Sequence, residues 1–384
     1  MNKDFQDHLN QILKELNYDN VNIIIQITKK VEHGDLSSPV AMTLAKKEGK
    51  NPQDIANQII HLLKTKFSDN YSDAYVAGPG FINVRLNKNI LTEQVKEIFK
   101  NDYAFGKNNY GKGKNAIVEF VSANPTGPLT VAHGRGAIVG DTISRILEWN
   151  GYKVDREYYF NNAGRQMRKL GESVKSRYLT LCKIKTSFPE DGYQGKYIEK
   201  FAEDLKEEFG DLWVREVDFS YFIEDSEAIL DHFIQQAKAE LGAEYELLKQ
   251  RAIQEQVDSC KGDLHCFGVV FDQWFSEKSL FVDGSVENTI QKLESAGYVE
   301  TRDGAKWFKS TIFGDDKDRV LKKSNGEYTY FASDIAYHHD KFKRGYGRVV
   351  NIWGADHHGY IPRMQAALKG LGHKDSNLEI LLIQ

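Results

Sequence analysis

The chain has 384 residues, 41% of them hydrophobic and 12% aromatic, enough to bury a sizeable core, and a formal net charge of −4 that by itself argues against a nucleic-acid partner. No apolar run approaches the roughly 18 residues that suggest a membrane span, and Met1-Asn2-Lys3-Asp4-Phe5-Gln6-Asp7 lacks the apolar core of a signal peptide. Cys182, Cys260 and Cys266 are too few and too scattered for a disulfide framework or a zinc site, so reduced cysteines in a cytoplasmic protein are expected.

Residues 1–105 read as a small, separate α+β domain. Phe5, Leu9, Ile12, Leu13 and Leu16 recur at helical spacing. Val21 to Ile27 reads as a strand, and Pro39 to Lys46 and Pro52 to Phe67 as helices, with Pro52 suited to a first turn. Within Tyr75 to Leu86 a glycine turn, Gly78-Pro79-Gly80, precedes strict alternation. Phe81, Asn83 and Arg85 share one face; Ile82, Val84 and Leu86 share the other. Leu91 to Phe99 is a closing helix, and the Gly-, Lys- and Asn-rich stretch Asn101 to Asn115 is a linker.

Residues 106–164 form a strand–helix–strand unit. An apolar strand, Ile117 to Val121, runs into a turn-rich loop with two prolines, and the pair His133-Gly134 stands at the loop's exit. The helix that follows shows Val139, Ile143 and Leu147 at four-residue spacing and is capped at Gly151. Tyr152 to Phe160 is the next strand. Residues 165–275 are mostly helical and acidic, with little strand signal, as an insertion between two halves of a nucleotide-binding fold would be. Over residues 276–384 strand patterns return at Trp307 to Lys309, Val320-Leu321, Tyr328 to Phe331, Arg348 to Trp353 and Leu378 to Ile383. Helices at Asp334 to Lys343 and Ile361 to Gly370 lie between them. Alternating strand and helix implies a Rossmann-like α/β domain with a mostly parallel sheet, whose ligands bind at the carboxyl ends of its strands.

The charge is unevenly spread. Residues 199–246 hold 15 acids and four bases, so the remainder is basic, about +7. Residues 85–114 carry seven bases against three acids, and residues 302–348 eleven against seven. A basic body with one acidic appendage is compatible with phosphate binding.

Three segments hold chemistry-bearing residues. A strand–loop–helix unit places an anion on free helix N–H groups, and here His133 can add a hydrogen bond. The glycines of Gly134-Arg135-Gly136-Ala137-Ile138-Val139-Gly140 have the wrong spacing for a dinucleotide fingerprint. The second segment is Phe331-Ala332-Ser333-Asp334-Ile335-Ala336-Tyr337-His338-His339-Asp340, in which Tyr337 and Asp340 share a helix face. The third is Trp353-Gly354-Ala355-Asp356-His357-His358-Gly359-Tyr360. Glu119 is an odd charge in an apolar run, either a structural ion pair or a partner for a cation.

The stretch Ser122-Ala123-Asn124-Pro125-Thr126-Gly127-Pro128-Leu129 resembles the first signature of class I aminoacyl-tRNA synthetases, in its arginyl-tRNA synthetase variant. Asn161-Asn162-Ala163-Gly164, the Gly78 to Asn83 turn and the second and third segments match in the same order, so the resemblance spans essentially the whole chain. In that family the signature leads into His-x-Gly-His; here it reads Thr130-Val131-Ala132-His133, so a threonine stands for the first histidine and an alanine for the glycine. Thr130 can donate a hydrogen bond but holds no charge.

The resemblance implies ATP-dependent attachment of L-arginine to tRNA(Arg) through an arginyl-adenylate, with Mg²⁺ entering on ATP, no protein-bound metal, and a monomer. His133 and Thr130 would be catalytic. Ala123, Asn124, Pro125, Thr126, Gly127, Pro128, Leu129, Val131, Ala132, Gly134, Gly136 and His357 would bind ATP. Glu119, Ser122, Asn124, Tyr337, Asp340 and Asp356 would hold arginine, whose planar guanidinium pairs best with carboxylates. Residues 1–105 would recognise the tRNA elbow. The family's Lys-Met-Ser-Lys loop and anticodon-binding domain lie beyond Gln384, so a fragment is expected. The alternatives are a metal-dependent phosphoesterase using Asp356-His357-His358 and a non-catalytic tRNA-binding protein.

Overall fold

The computed structural model describes residues 2–162, 164–184, 186, 188–212, 214, 243–374 and 377–384. Ala163 of the Asn-Asn-Ala-Gly match and residues 215–242 of the acidic stretch lie outside them. The chain divides into two compact units, Met1–Gly106 and Lys107–Gln384.

In the first unit, helices α1 (Asn2–Glu15), α2 (Val40–Glu48) and α3 (Pro52–Lys66) pack with an antiparallel sheet of β1 (Gln26–Ile27), β2 (Leu36–Ser38), β3 (Tyr71–Ala77) and β4 (Phe81–Leu86), in the order β1-β2-β4-β3. Phe5, Leu9 and Ile12 of α1 meet Ile55, Ile59 and Leu63 of α3 and Ile82 and Val84 of β4 in one core. Asn51 caps α3 by accepting from Gln53 N, with Pro52 in the first turn. The expected strand over Val21 to Ile27 shrinks to Gln26–Ile27, the only two residues of that run paired with β2. The run expected from Tyr75 is instead a hairpin, with β3 beginning at Tyr71 and pairing antiparallel with β4. Helix α4 (Lys88–Asn101) closes the unit.

The second unit is built on a five-stranded, all-parallel sheet in the order β12-β11-β5-β6-β7. Its strands are β5 (Asn115–Glu119), β6 (Lys153–Phe160), β7 (Gln273–Ser276), β11 (Arg348–Gly354) and β12 (Leu378–Ile383). The order reverses direction at β5, with β6 on one side and β11 on the other. That switch point opens a crevice outside the carboxyl ends of β5 and β11. Helix α5 (Val131–Trp149) packs on β5 and β6. Between β6 and β7 come α6 (Gly164–Leu181), α7 (Lys196–Phe209) and α8 (Ala243–Cys266), which share a core of their own around Met167, Tyr178, Ile198 and Leu248.

Strand β7 was hidden in a stretch whose sequence shows little strand signal. It is a four-residue edge strand recognised only by its register with β6, Glu157 opposite Gln273. Helices α9 (Glu277–Val282) and α10 (Ser285–Ser295) precede a small antiparallel sheet of β8 (Val299–Arg302), β9 (Ala305–Phe308) and β10 (Arg319–Lys322). The strand expected over Tyr328 to Phe331 is also revised. Tyr328 makes one bridge to Lys322, and helix α11 (Tyr330–Lys343) starts two residues later. Phe331, Ala332, Ile335 and Ala336 are all buried there, and that helical repeat outweighs the β-propensity of the aromatic run. Helix α12 (Ile361–Gly370) completes the unit. Among the described residues no helix is long and apolar enough to cross a membrane.

Candidate functional site

The loop leaving β5 starts under strain. Val121 and Ser122 have φ of +67° and +44°, an outlying conformation for a β-branched residue of the kind held in place only by surrounding structure. Those surroundings are specific. Ser122 N–H donates to Phe120 O at 2.9 Å, and Ser122 Oγ accepts from Tyr159 N at 3.2 Å. Ala123 N–H donates to Tyr158 Oη at 3.2 Å, and Tyr158 donates back to Ala123 O at 3.0 Å. Pro125 and Gly136 are buried; Ala123, Thr126, Gly127, Leu129, His133 and Gly134 are half-buried; Asn124, Pro128, Thr130, Val131 and Ala132 are exposed.

Helix α5 begins at Val131 with Thr130 as its N-cap, so His133 lies in the first helical turn rather than ahead of the helix. Its Nδ1 accepts from the Thr130 backbone N–H at 3.0 Å and lies 3.2 Å from Thr130 Oγ1. Burial lowers the His133 pKa below the usual imidazole value, which keeps the ring neutral at pH 7. With Nδ1 accepting, the proton sits on Nε2 as a donor. Thr130, where the family pattern has a histidine, therefore orients His133.

Ser122 links this loop to a buried cluster of carboxylates, since its Oγ donates to Glu119 Oε1 at 2.9 Å. Glu119 is 5% exposed at the end of β5. Burial alone would raise its pKa; Lys341, His338 and the hydrogen bonds from Lys341 and Ser122 outweigh that and hold it below the usual range. Lys341 is fully buried, donating to Glu119 Oε2 at 2.6 Å and to Asn351 Oδ1 at 3.0 Å. Asn351 Nδ2 donates in turn to His338 Nε2 at 2.6 Å. Burial and Lys341 push His338 down to about 4, so it stays neutral.

Two further carboxylates lie within electrostatic reach. Glu277, 3% exposed at the start of α9, accepts from Ser333 Oγ at 2.6 Å, and burial raises its pKa despite hydrogen bonds from Ser333 and Tyr159. Asp334 on α11 accepts from the Tyr360 hydroxyl. Burial raises it to about 7; Glu277 and Glu119 push further the same way, and Tyr360 and Lys341 only partly offset them. Glu119 and Asp334 both lie within electrostatic reach of the buried Lys341, and burial raises Asp334 and Glu277 above the usual carboxylate range, so a cation beside them would be favoured.

Several expected pocket residues are engaged by partners of their own. Tyr337 is 1% exposed, donates to Glu157 Oε1 at 2.6 Å and packs on Tyr159 and Phe275. Asp340 pairs with Arg344 at 2.8 Å, and Arg344 also binds Glu157 at 2.6 Å. The shared helix face of Tyr337 and Asp340 meets Glu157 on β6 and anchors α11, and Lys341 Nζ lies 4.3 Å from the centre of the Tyr337 ring, so Tyr337 also borders the carboxylate cluster. Asp356 and His357 occupy a short helical turn after β11, with 81% and 56% of their side chains exposed, 3.5 Å apart. His358 is exposed as well. Among the described residues no group of three or more His, Cys, Asp or Glu side chains could hold a metal ion.

Sequence reasoning missed Asp334 and Glu277. Asp334 had a signal, because Asp334, His338 and Lys341 repeat at helical spacing along one side of the helix. Glu277 had none, since only the fold brings the start of α9 beside α11.

A parallel sheet whose switch-point strand leads through a loop into a helix start is the architecture of the class I tRNA synthetases. Residues 94–381 match tRNA synthetases class I (R), catalytic domain. Residues 3–86 match the arginyl tRNA synthetase N terminal domain. The chain belongs to the arginyl-tRNA synthetase family. It is 45% identical over 360 residues to the arginine–tRNA ligase of Acidithiobacillus ferrooxidans, covering 93% of this chain and 62% of that protein. It is 44% identical over 364 residues to that of Bacillus subtilis, covering 94% and 61%. The Thermus thermophilus arginyl-tRNA synthetase structure shares the fold, with a TM-score of 0.68 and 20% identity over 100% of this chain and 65% of that one. The chain thus spans about 62% of the length of such relatives.

Proposed function

We propose that this chain carries the nucleotide- and arginine-binding part of an enzyme that joins L-arginine to tRNA(Arg) at the expense of ATP. An oxygen of the arginine carboxylate attacks the ATP α-phosphorus, the bond to the β-phosphate oxygen breaks, and pyrophosphate leaves with the Mg²⁺ that arrived on ATP. A hydroxyl of the tRNA 3′-terminal ribose then attacks the arginyl carbonyl, and AMP departs. Positioning and charge stabilisation are the main demands of such phosphoryl chemistry. His133 Nε2 and the first N–H groups of α5 would hold the phosphates, along the loop from Ala123 to Leu129.

The observation that supports arginine is the gathering of Glu119 and Asp334 within reach of Lys341, with Glu277 beside Asp334. A guanidinium would supply the missing positive charge and match carboxylates bidentately. Asp334 and Glu277 are the better candidates for that contact, because Glu119 is already satisfied by Lys341 and Ser122. Glu119 and Asn124 would then face the substrate's amino end. Asp356 and His357 would act only if their turn closes on bound adenosine.

Residues 1–105 would bind the tRNA elbow and residues 106–164 would form the first half of the catalytic domain; the insertion expected over 165–275 would end before β7, which belongs to the sheet, so that the second half begins at Gln273 rather than 276. Action as a cytoplasmic monomer belongs to the same proposal. Calorimetric titration with arginine and with citrulline, its uncharged counterpart, tests the pocket. Arginine should bind and citrulline should fail at the same concentrations; equal binding would remove the basis for the assignment.

A further inference from the structure

The outer half of the signature loop is held by the helical insertion rather than by the sheet beneath it. Tyr197, at the start of α7, donates from its hydroxyl to Thr126 O at 2.5 Å. Asn124 Nδ2 donates to Gln166 Oε1 on α6 at 2.6 Å. Strand β6 supports only the inner half, through Tyr158 and Tyr159 at Ala123 and Ser122. Because the loop begins in a strained left-handed turn at Val121 and Ser122, local backbone preference does not hold its form.

The Tyr197 ring is seated without slack. A Cβ on Gly195 would fall 2.3 Å from the ring, and a Cβ on Gly127 would fall 3.2 Å from the Tyr197 hydroxyl. A side chain at Gly127 would therefore press on the tyrosine tip. Burial raises the Tyr197 hydroxyl to about 12, so it remains a proton donor throughout the physiological range.

We propose that Tyr197 is a positioning residue for the nucleotide cradle, and that the insertion shapes residues 124–127 through it. This rests on the reading of the loop as the ATP site. Tyr197→Phe keeps the ring and removes one hydrogen bond; Tyr197→Ala removes both. Three measurements on each variant decide the matter: hydrogen–deuterium exchange of the loop amides, the dissociation constant for MgATP, and the urea midpoint. For Tyr197→Phe, exchange at residues 124, 126, 127 and 129 and the MgATP constant should each rise about two- to tenfold, as expected for one hydrogen bond, with a urea midpoint lowered by no more than that one bond. Tyr197→Ala should exceed both changes.

Wild-type loop exchange in Tyr197→Phe would overturn the proposal. So would faster exchange with unaltered MgATP affinity, because the contact would then not serve the cradle. Failure of the unsubstituted chain to bind MgATP is a different outcome: it removes the nucleotide reading, and this inference with it.

Discussion

At the residue scale, Asp334 is the most informative side chain, because its environment opposes the charge that its role requires. An unfolded aspartate ionises near 3.9, whereas Asp334 in the empty fold keeps its proton to about 7. The raised value costs no stability below about pH 4. The penalty grows between about 4 and 7 and stays constant above. Asp334→Asn should therefore raise the melting temperature at pH 8, leave it little changed at pH 4, and abolish arginine binding. An Asp334→Asn variant no more stable than the parent at pH 8 would show that the carboxylate is not strained. Arginine binding to the parent should tighten as pH rises towards 7 and release about half a proton at pH 7 and closer to one near pH 6, measured by calorimetry in buffers of different ionisation enthalpy. His133 gives a second prediction at this scale. Its Nε2 is a side-chain donor in the first turn of α5, so His133→Ala should cost about 2–4 kcal/mol of transition-state stabilisation, on the order of 10² to 10³ in ATP–pyrophosphate exchange. Unchanged exchange would remove His133 from the chemistry.

At the scale of elements, helix α5 shows how tightly the sheet fixes the phosphate-facing end. A Cβ on Gly140 would fall 2.0 Å from the ring of Phe120, which is fully buried at the end of β5. Gly140→Ala should therefore force the helix off the strand at a cost of about 1–3 kcal/mol, read as a lower urea midpoint together with weaker MgATP binding. Helix α11 shows the limit of periodicity. Its face of Tyr337 and Asp340 was legible from three-residue spacing, but periodicity does not say which strand a face will meet. The structure sets Tyr337 and Arg344 on Glu157 and Lys341 on Glu119. The same helix aims Asp334, one turn earlier, at the cluster.

At the scale of the molecule, the first unit has its own core, in which α1, α3 and β4 bury Phe5, Leu9, Ile59, Leu63, Ile82 and Val84. Residues 1–106 expressed alone should melt cooperatively; a broad, non-cooperative transition would show that this core needs the rest of the chain. The charge distribution gives a further prediction. With seven bases against three acids over residues 85–114, RNA binding should weaken steeply between about 50 and 200 mM salt as counterion release loses its advantage. Salt-independent binding would mean that phosphate contacts are not what holds the RNA.

The sequence by itself determined the α/β class, the strand–loop–helix unit, the helical insertion and the candidate nucleotide loop, because these depend on neighbours in the chain: periodicity, prolines, glycines and caps. It also marked Glu119 as a charge that needed a partner. Only the tertiary structure decided what that partner is, and it chose Lys341, 222 residues away. The gathering of Glu277 and Asp334 beside Glu119, the edge strand β7 and the contact of Tyr197 with Thr126 were likewise settled by packing. Each joins segments far apart in sequence, and a carboxylate's pKa depends on which distant charges and walls the fold brings to it, which local pattern cannot encode.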